Sequence, residues 1–172
     1  MIKKYLSNEK IKKKVKQIAK TISKYHKEVN FVTVLTGAKY FSKDLKKELR
    51  NLGVKVTEDF IKVKSYVGTN STGKITIIKQ LKNPIKGKDI LIVEDIIDTG
   101  LTLYFLKKYL QNKAKSVRIC AFLDKPSRRK KKVKIDYCGF KVPDKFIVGY
   151  GLDYNEKYRE LKYIGVLVEN KQ

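Results

Sequence analysis

The stretch Ile90-Leu91-Ile92-Val93-Glu94-Asp95-Ile96-Ile97-Asp98-Thr99-Gly100-Leu101-Thr102 constrains this chain more than any other. The apolar run from Asp89 to Val93 reads as a buried strand and ends in two adjacent carboxylates. An Asp-Thr-Gly-x-Thr turn follows and opens a helix predicted from about Thr102 to Asn112. An acidic pair suited to a divalent ion and sugar hydroxyls thus stands beside a turn of backbone N–H groups suited to a phosphate. One local element could hold a phosphorylated sugar and its metal.

The rest of the chain supplies the setting. Ile11, Val15, Ile18, Ala19 and Ile22 recur at helical spacing, which predicts an amphipathic helix over 9–24. Phe31 to Leu35 reads as a short strand, ended by Thr36-Gly37-Ala38. Phe41, Leu45, Leu49 and Leu52 mark a second helix closed by Gly53. Val54 to Ser65 reads as extended chain around a break at Glu58-Asp59, with Ile75 to Ile78 as a partner strand. Later strands are predicted at Val117–Leu123, Val133–Phe140, Phe146–Val148 and Ile164–Val168. Short apolar strands alternating with helices argue an α/β sheet, parallel at its centre and flanked by helices. The strand-rich later half leaves hardly any room for a helix and is expected to cap the sheet edge.

The length of 172 residues fits one domain, and 42 % hydrophobic residues can build a real core. Cys120 and Cys138 sit in strand-like surroundings without metal spacing, so both are expected as buried thiols in a reducing compartment, the cytoplasm. The N-terminal residues gather no apolar h-region and no stretch reaches the length of a membrane span, so neither secretion nor a membrane is expected. The net charge of +24 suggests an anionic partner. However, only five of the 41 basic residues are arginine, and the lysines are spread along the whole chain. The charge is therefore read as solvated lysine, with one true cluster at Arg128-Arg129-Lys130-Lys131-Lys132, and no specific nucleic acid is expected.

Four predicted strand ends carry polar groups: Thr36-Gly37-Ala38-Lys39, Glu94-Asp95 with Asp98-Thr99-Gly100, Asp124-Lys125-Pro126-Ser127, and Gly151-Leu152-Asp153-Tyr154. Sites in open α/β sheets gather beyond such ends. Clustered carboxylates repel one another unless a cation or bound hydroxyls satisfy them, so Glu94, Asp95 and Asp98 are hard to explain as packing. There is no dinucleotide glycine pattern, no P-loop and no serine elbow. His26, the only histidine, is read as a helix-end or core residue. Acid–base work falls to carboxylates and lysines.

At this point the sequence resembles the hypoxanthine-guanine phosphoribosyltransferases, type I phosphoribosyltransferases of purine salvage. The resemblance runs from about Asn30 to Glu169. Val93-Glu94-Asp95-Ile96-Ile97-Asp98-Thr99-Gly100 is similar to the family's phosphoribosyl-pyrophosphate signature. The segment from Val142 to Glu156, with Arg159 beyond it, is similar to the purine-binding and C-terminal active-site segment. Ser65-Tyr66 and Lys125 fall between suitable strands.

The resemblance implies the type I phosphoribosyltransferase fold: a single domain over 1–172, with a core of about 10–130. A small strand-rich hood would come from the N-terminal residues and about 133–172, and a flexible lid from about 65–75. It implies transfer of the phosphoribosyl group from 5-phosphoribosyl 1-diphosphate to hypoxanthine or guanine, giving IMP or GMP and pyrophosphate. Mg²⁺ would be the cofactor, and the assembly a homodimer or homotetramer. Glu94 and Asp95 would hold the ribose hydroxyls, partly through Mg²⁺, and Asp98 would sit near purine N7 as general base or acid. Thr99, Gly100, Leu101 and Thr102 would cradle the 5′-phosphate, and Lys125 would point at the 6-oxo oxygen. Phe146 would stack on the base while the backbone of Ile147 reads its edge. Asp153 would bind a Mg²⁺ carried by pyrophosphate, Arg159 would contact pyrophosphate, and Thr36 and Gly37 would form its loop, with a cis peptide after Leu35. Ser65 and Tyr66 would belong to the lid.

The chain departs from the family at Thr36, where many relatives have a basic residue, at Ala38, where glycine or serine is usual, and at Leu101, where some have lysine. None of these removes a backbone donor, so activity is expected to survive. The rival reading is a phosphoribosyl-ligand-dependent regulator that binds nucleic acid through the 128–132 run. No helix-turn-helix or zinc pattern accompanies that run.

Overall fold

The computed structural model describes residues 1–65 and 74–168. Its elements follow in the order β1 (Ile2–Leu6), α1 (Asn8–Tyr25), β2 (Glu28–Val34), α2 (Lys39–Asn51), β3 (Lys55–Ser65) and β4 (Ile75–Lys79). Then come β5 (Asp89–Ile97), α3 (Leu101–Gln111), β6 (Ser116–Asp124), β7 (Tyr137–Lys141), β8 (Ile147–Val148) and β9 (Ile164–Leu167). A single 3-10 turn at Pro126–Arg128 follows β6.

Two sheets result. The larger has six strands in the order β4-β3-β2-β5-β6-β7. All its neighbours pair in parallel except β4, which runs antiparallel to β3 at one edge. The smaller, β1-β9-β8, is antiparallel and stands beyond the core. The central strands are apolar on both faces because helices cover both. Leu91 and Val93 enter one core with the apolar stripes of α1 and α2, while Ile90 and Ile92 enter the other with Leu103, Leu106 and Leu110 of α3. Phe122 anchors the first core, its ring 5.1 Å from Phe41 and 5.0 Å from Tyr150. Helix α1 starts where Ser7 accepts from the Lys10 N–H at 3.3 Å, and it buries the five apolar residues singled out by their spacing.

Several expectations are corrected. Strand β3 has no break at Glu58-Asp59, because both carboxylates are satisfied within it. Glu58 accepts from Thr33 Oγ1 at 2.8 Å and Ser42 Oγ at 2.6 Å and pairs with Lys46, and Asp59 accepts the backbone N–H groups of Lys82 and Asn83 at 2.8 Å each. Strand β5 continues past the acidic pair to Ile97. The stretch 133–140 becomes strand only at Tyr137, while Val133 and Ile135 pack as irregular chain beneath α3. Within the stretch read as hood, β7 pairs in parallel with β6 and extends the larger sheet. Cys120 is buried, but Cys138 is exposed, since β7 is an edge strand. Strand β1 has only Leu6 buried and three exposed residues before it, too weak a pattern to read from sequence. His26 caps α1, its N–H bonded to the Ile22 carbonyl at 3.1 Å, as a helix-end residue should.

Candidate active site

The loops after β2, β5 and β6 leave the C-terminal ends of these parallel strands, and the turns around β8 close over them. After β2 the Leu35-Thr36 peptide is cis. Gly37 then lies flat against the second carboxylate of β5: a Cβ on Gly37 would fall 1.7 Å from Asp95 Oδ2. From the other side, a Cβ on Gly151, whose φ is +99°, would fall 2.1 Å from the Gly37 carbonyl oxygen. The Thr36-Gly37 loop is therefore held between Asp95 and the turn that leads to Asp153.

Glu94 and Asp95 are adjacent, and the Asp95 N–H donates to Glu94 Oε1 at 3.1 Å. Burial, and then the neighbouring Asp95, push the Glu94 carboxyl well above the usual range. Asp95 is also raised by burial, against opposing hydrogen bonds from Glu94 and the Ile96 N–H. A cation, or hydroxyl donors, would relieve this repulsion. Among the described residues no three His, Cys, Asp or Glu side chains form a cage for a metal. Mg²⁺ needs no cage, because it keeps water and phosphate ligands beside one or two carboxylates. Glu94 with Asp95, and Asp153 separately, fit that donor set.

The turn expected to hold phosphate is built on Gly100, the N-cap of α3, with φ +81°. A Cβ there would meet the Lys131 carbonyl oxygen at 2.3 Å, so only glycine fits on two counts. The Thr99 carbonyl accepts the N–H groups of Lys130 and Lys131 at 2.8 and 2.9 Å, and Thr99 Oγ1 accepts from the Leu101 N–H at 3.3 Å. The first-turn N–H groups of Thr102 and Leu103 have no partner within the helix, as at any helix N-terminus, while that of Leu101 meets Thr99. Such a helix start is able to receive an anion.

Asp98 stands at its lip. Its Oδ2 is 3.3 Å from Arg128 Nη1, whereas its Oδ1 is buried without a hydrogen-bond partner among the described residues. Lys125 is 6 % exposed, so its charge must be met inside. Its N–H donates to the Ile97 carbonyl at 2.9 Å, and Nζ donates to the Lys145 carbonyl at 3.0 Å. Those bonds join the loop after β6 to both the phosphate turn and the segment before β8. Phe146 is half exposed and meets Tyr154 edge to face at 5.1 Å, beside a depression of about 540 Å³. Ile147 is buried in β8. Arg159 Nη2 lies 2.9 Å from Asp153 Oδ1, and Nη1 donates to the Gly151 carbonyl at 2.9 Å.

Ser65 ends β3, paired with Ile75. Tyr66 and most of the stretch read as a lid lie outside the described residues. Sequence reasoning missed Arg128 and Arg129 as parts of the site, taking them with the solvated run. Arg129 turns inward, pairing with Asp124 and donating to the Asp98 carbonyl at 3.2 Å, while the half-exposed Arg128 pairs with Asp98 and Asp144. A signal was present, since two of only five arginines stand side by side next to the Lys125 turn. Their engagement also takes the arginines out of the basic run that had suggested nucleic-acid binding.

Comparison with known proteins finds relatives along nearly the whole chain. Residues 1–155 match the model of the phosphoribosyl transferase domain. The chain is 48 % identical over 166 residues to the hypoxanthine-guanine phosphoribosyltransferase of Bacillus subtilis, covering 94 % of this chain and 91 % of that one. It is 44 % identical to the hypoxanthine-guanine-xanthine phosphoribosyltransferase of Tritrichomonas foetus, covering 93 % and 88 %. The crystal structure of a hypoxanthine-guanine phosphoribosyltransferase from Bacillus anthracis with HEPES in its active site superposes with a TM-score of 0.91 at 42 % identity, covering 98 % and 100 %.

Proposed function

Since this chain belongs to the phosphoribosyltransferase family, we propose that it is a purine-salvage enzyme. It transfers the 5-phosphoribosyl group of 5-phosphoribosyl 1-diphosphate to N9 of hypoxanthine or guanine, giving IMP or GMP and pyrophosphate. The observation that carries this reading is the joining of the phosphate turn to a buried lysine one strand away. Lys125 donates its N–H to Ile97 and its ammonium to the hood at Lys145, so a phosphate cradle and an oxo-group donor share one frame.

In this mechanism the 5′-phosphate sits on the N–H groups of Leu101 and Thr102, with the hydroxyls of Thr99 and Thr102 around it. Glu94 and Asp95 accept from the ribose hydroxyls. Held by Glu94 and Asp95 and by Asp153, Mg²⁺ would supply positive charge against the departing diphosphate. Arg159 and the backbone of Thr36 and Gly37 receive that diphosphate. The purine lies on Phe146, its edge read by the Ile147 backbone, and Lys125 donates to the 6-oxo oxygen. An amino group at that position would meet a donor and be rejected. As N9 attacks C1′ the base loses a proton, and the Asp98 carboxylate near N7 receives it.

We read the chain as one domain whose β1-β9-β8 sheet is the hood, working as a homodimer or homotetramer. Free thiols at Cys120 and Cys138 accord with a reducing compartment, and we assign the enzyme to the cytoplasm. No described helix is long and apolar enough to cross a membrane. The deciding experiment measures pyrophosphate release with Mg²⁺ over hypoxanthine, guanine, xanthine and adenine. Turnover with a 6-oxopurine and none with adenine is the expected result, and no turnover with any 6-oxopurine overturns the reading.

A further inference from the structure

Two consecutive arginines hold Asp98, one by its backbone and one by its side chain. Arg129 Nε donates to the Asp98 carbonyl at 3.2 Å, and the same guanidinium pairs with Asp124 at the end of β6. Arg128 Nη1 takes Asp98 Oδ2 at 3.3 Å. The other carboxylate oxygen, Oδ1, is buried and has no partner among the described residues. Because Oδ1 is buried, the carboxylate meets its surroundings through Oδ2, the oxygen that Arg128 holds. An aspartate carboxylate turns over a broad torsional well, and the Arg128 contact to Oδ2 limits that rotation.

The same Arg128 side chain reaches a second carboxylate. Its Nε lies 3.5 Å from Asp144 Oδ1, and the next residue, Lys145, offers the carbonyl that accepts Lys125 Nζ at 3.0 Å. One guanidinium thus stands between the carboxylate and the hood segment beside the lysine. Lysine would do this less well, because its donors all leave from one nitrogen, whereas the guanidinium fork is planar and spread out. Arg128 and Asp144 are both about half exposed, at 51 % and 56 %, so their pairing adds little to fold stability.

We propose that Arg128 is a positioning residue of the transfer reaction. It holds Asp98 by Oδ2, and through Asp144 it ties that carboxylate to the segment that reads the base. The inference rests on the reading of Asp98 as proton acceptor.

The test is initial-rate kinetics with hypoxanthine and guanine at saturating 5-phosphoribosyl 1-diphosphate and Mg²⁺. It compares wild type, R128A, R128K, D98N and the double variant, each matched by a thermal melt; R128Q, which keeps most of the volume, replaces R128A should that variant not fold. R128A is expected to lower kcat by about 10-fold, with KM for the phosphoribosyl donor unchanged, and R128K to restore only part of the loss. In the D98N background, removing Arg128 is expected to change kcat no further, because the arginine acts through that carboxylate. Wild-type kcat in R128A overturns the positioning role, as does a full-sized additional loss in the D98N background. An inactive wild type would instead remove the proposed reaction, and this inference with it, before any variant is measured.

Discussion

Gly37 lies against Asp95 so closely that a methyl group on its Cα would stand 1.7 Å from Oδ2 and 2.7 Å from Cγ. The neighbour it would displace is a short side chain, so the fold can accommodate the change but the carboxylate cannot stay where it is. Gly37→Ala is therefore expected to leave the melting temperature close to wild type while kcat/KM for the phosphoribosyl donor falls by about 10²-fold, the cost of a misplacement near 1 Å. Unchanged kinetics in this variant would mean that Asp95 is not needed in its present position.

Asp98 carries the proton-transfer step in the proposed mechanism. Asparagine keeps its shape and can still pair one oxygen, but cannot accept a proton, so Asp98→Asn is expected to lower kcat by ~10²-fold with substrate KM values little changed. Retention of full kcat would take the role away from this residue.

Lys125 carries the choice of base. With Nζ satisfied by the Lys145 carbonyl at 3.0 Å, its ammonium is held in place before any purine arrives. Lys125→Ala should raise KM for hypoxanthine by about 10-fold or more and narrow the discrimination against adenine. Competition between the two bases in one reaction reads both effects, and undiminished rejection of adenine would place the selection elsewhere.

The elements that position the site were legible where one physical cause dominated. The run Ile90–Val93 could only be a strand buried on both faces, and α1 and α2 announced themselves by the spacing of Ile11, Val15, Ile18, Phe41, Leu45 and Leu49. What could not be read depends on partners distant in sequence. Arg128 and Arg129 look like solvated charge until the chain brings them to Asp98 and Asp124, and Cys138 looks like core until its strand proves to be an edge. Glu58-Asp59 looked like a break because two carboxylates in a strand are costly unless met. They are met by Lys46 and Ser42 of α2, by Thr33 of β2, and by the backbone at Lys82 and Asn83.

Those partners make Glu58 a source of acid-sensitive stability. Burial opposes its charge, but the hydrogen bonds from Lys46, Ser42 and Thr33 outweigh burial and leave its pKa below the ordinary 4.5. The folded state then binds fewer protons than the unfolded chain. The stabilisation is complete above the unfolded value and is lost as the pH falls through the lower folded one. Glu58→Gln keeps the volume but cannot accept from all three donors as a charged acceptor, so it should cost about 1–3 kcal/mol at neutral pH. Urea unfolding of both proteins from about pH 7 down to about pH 3.5 should show that gap narrowing once the pH drops below the ordinary carboxylate range. A gap of constant size over the whole range would mean that the charge on Glu58 is not what stabilises the contact between β3 and α2.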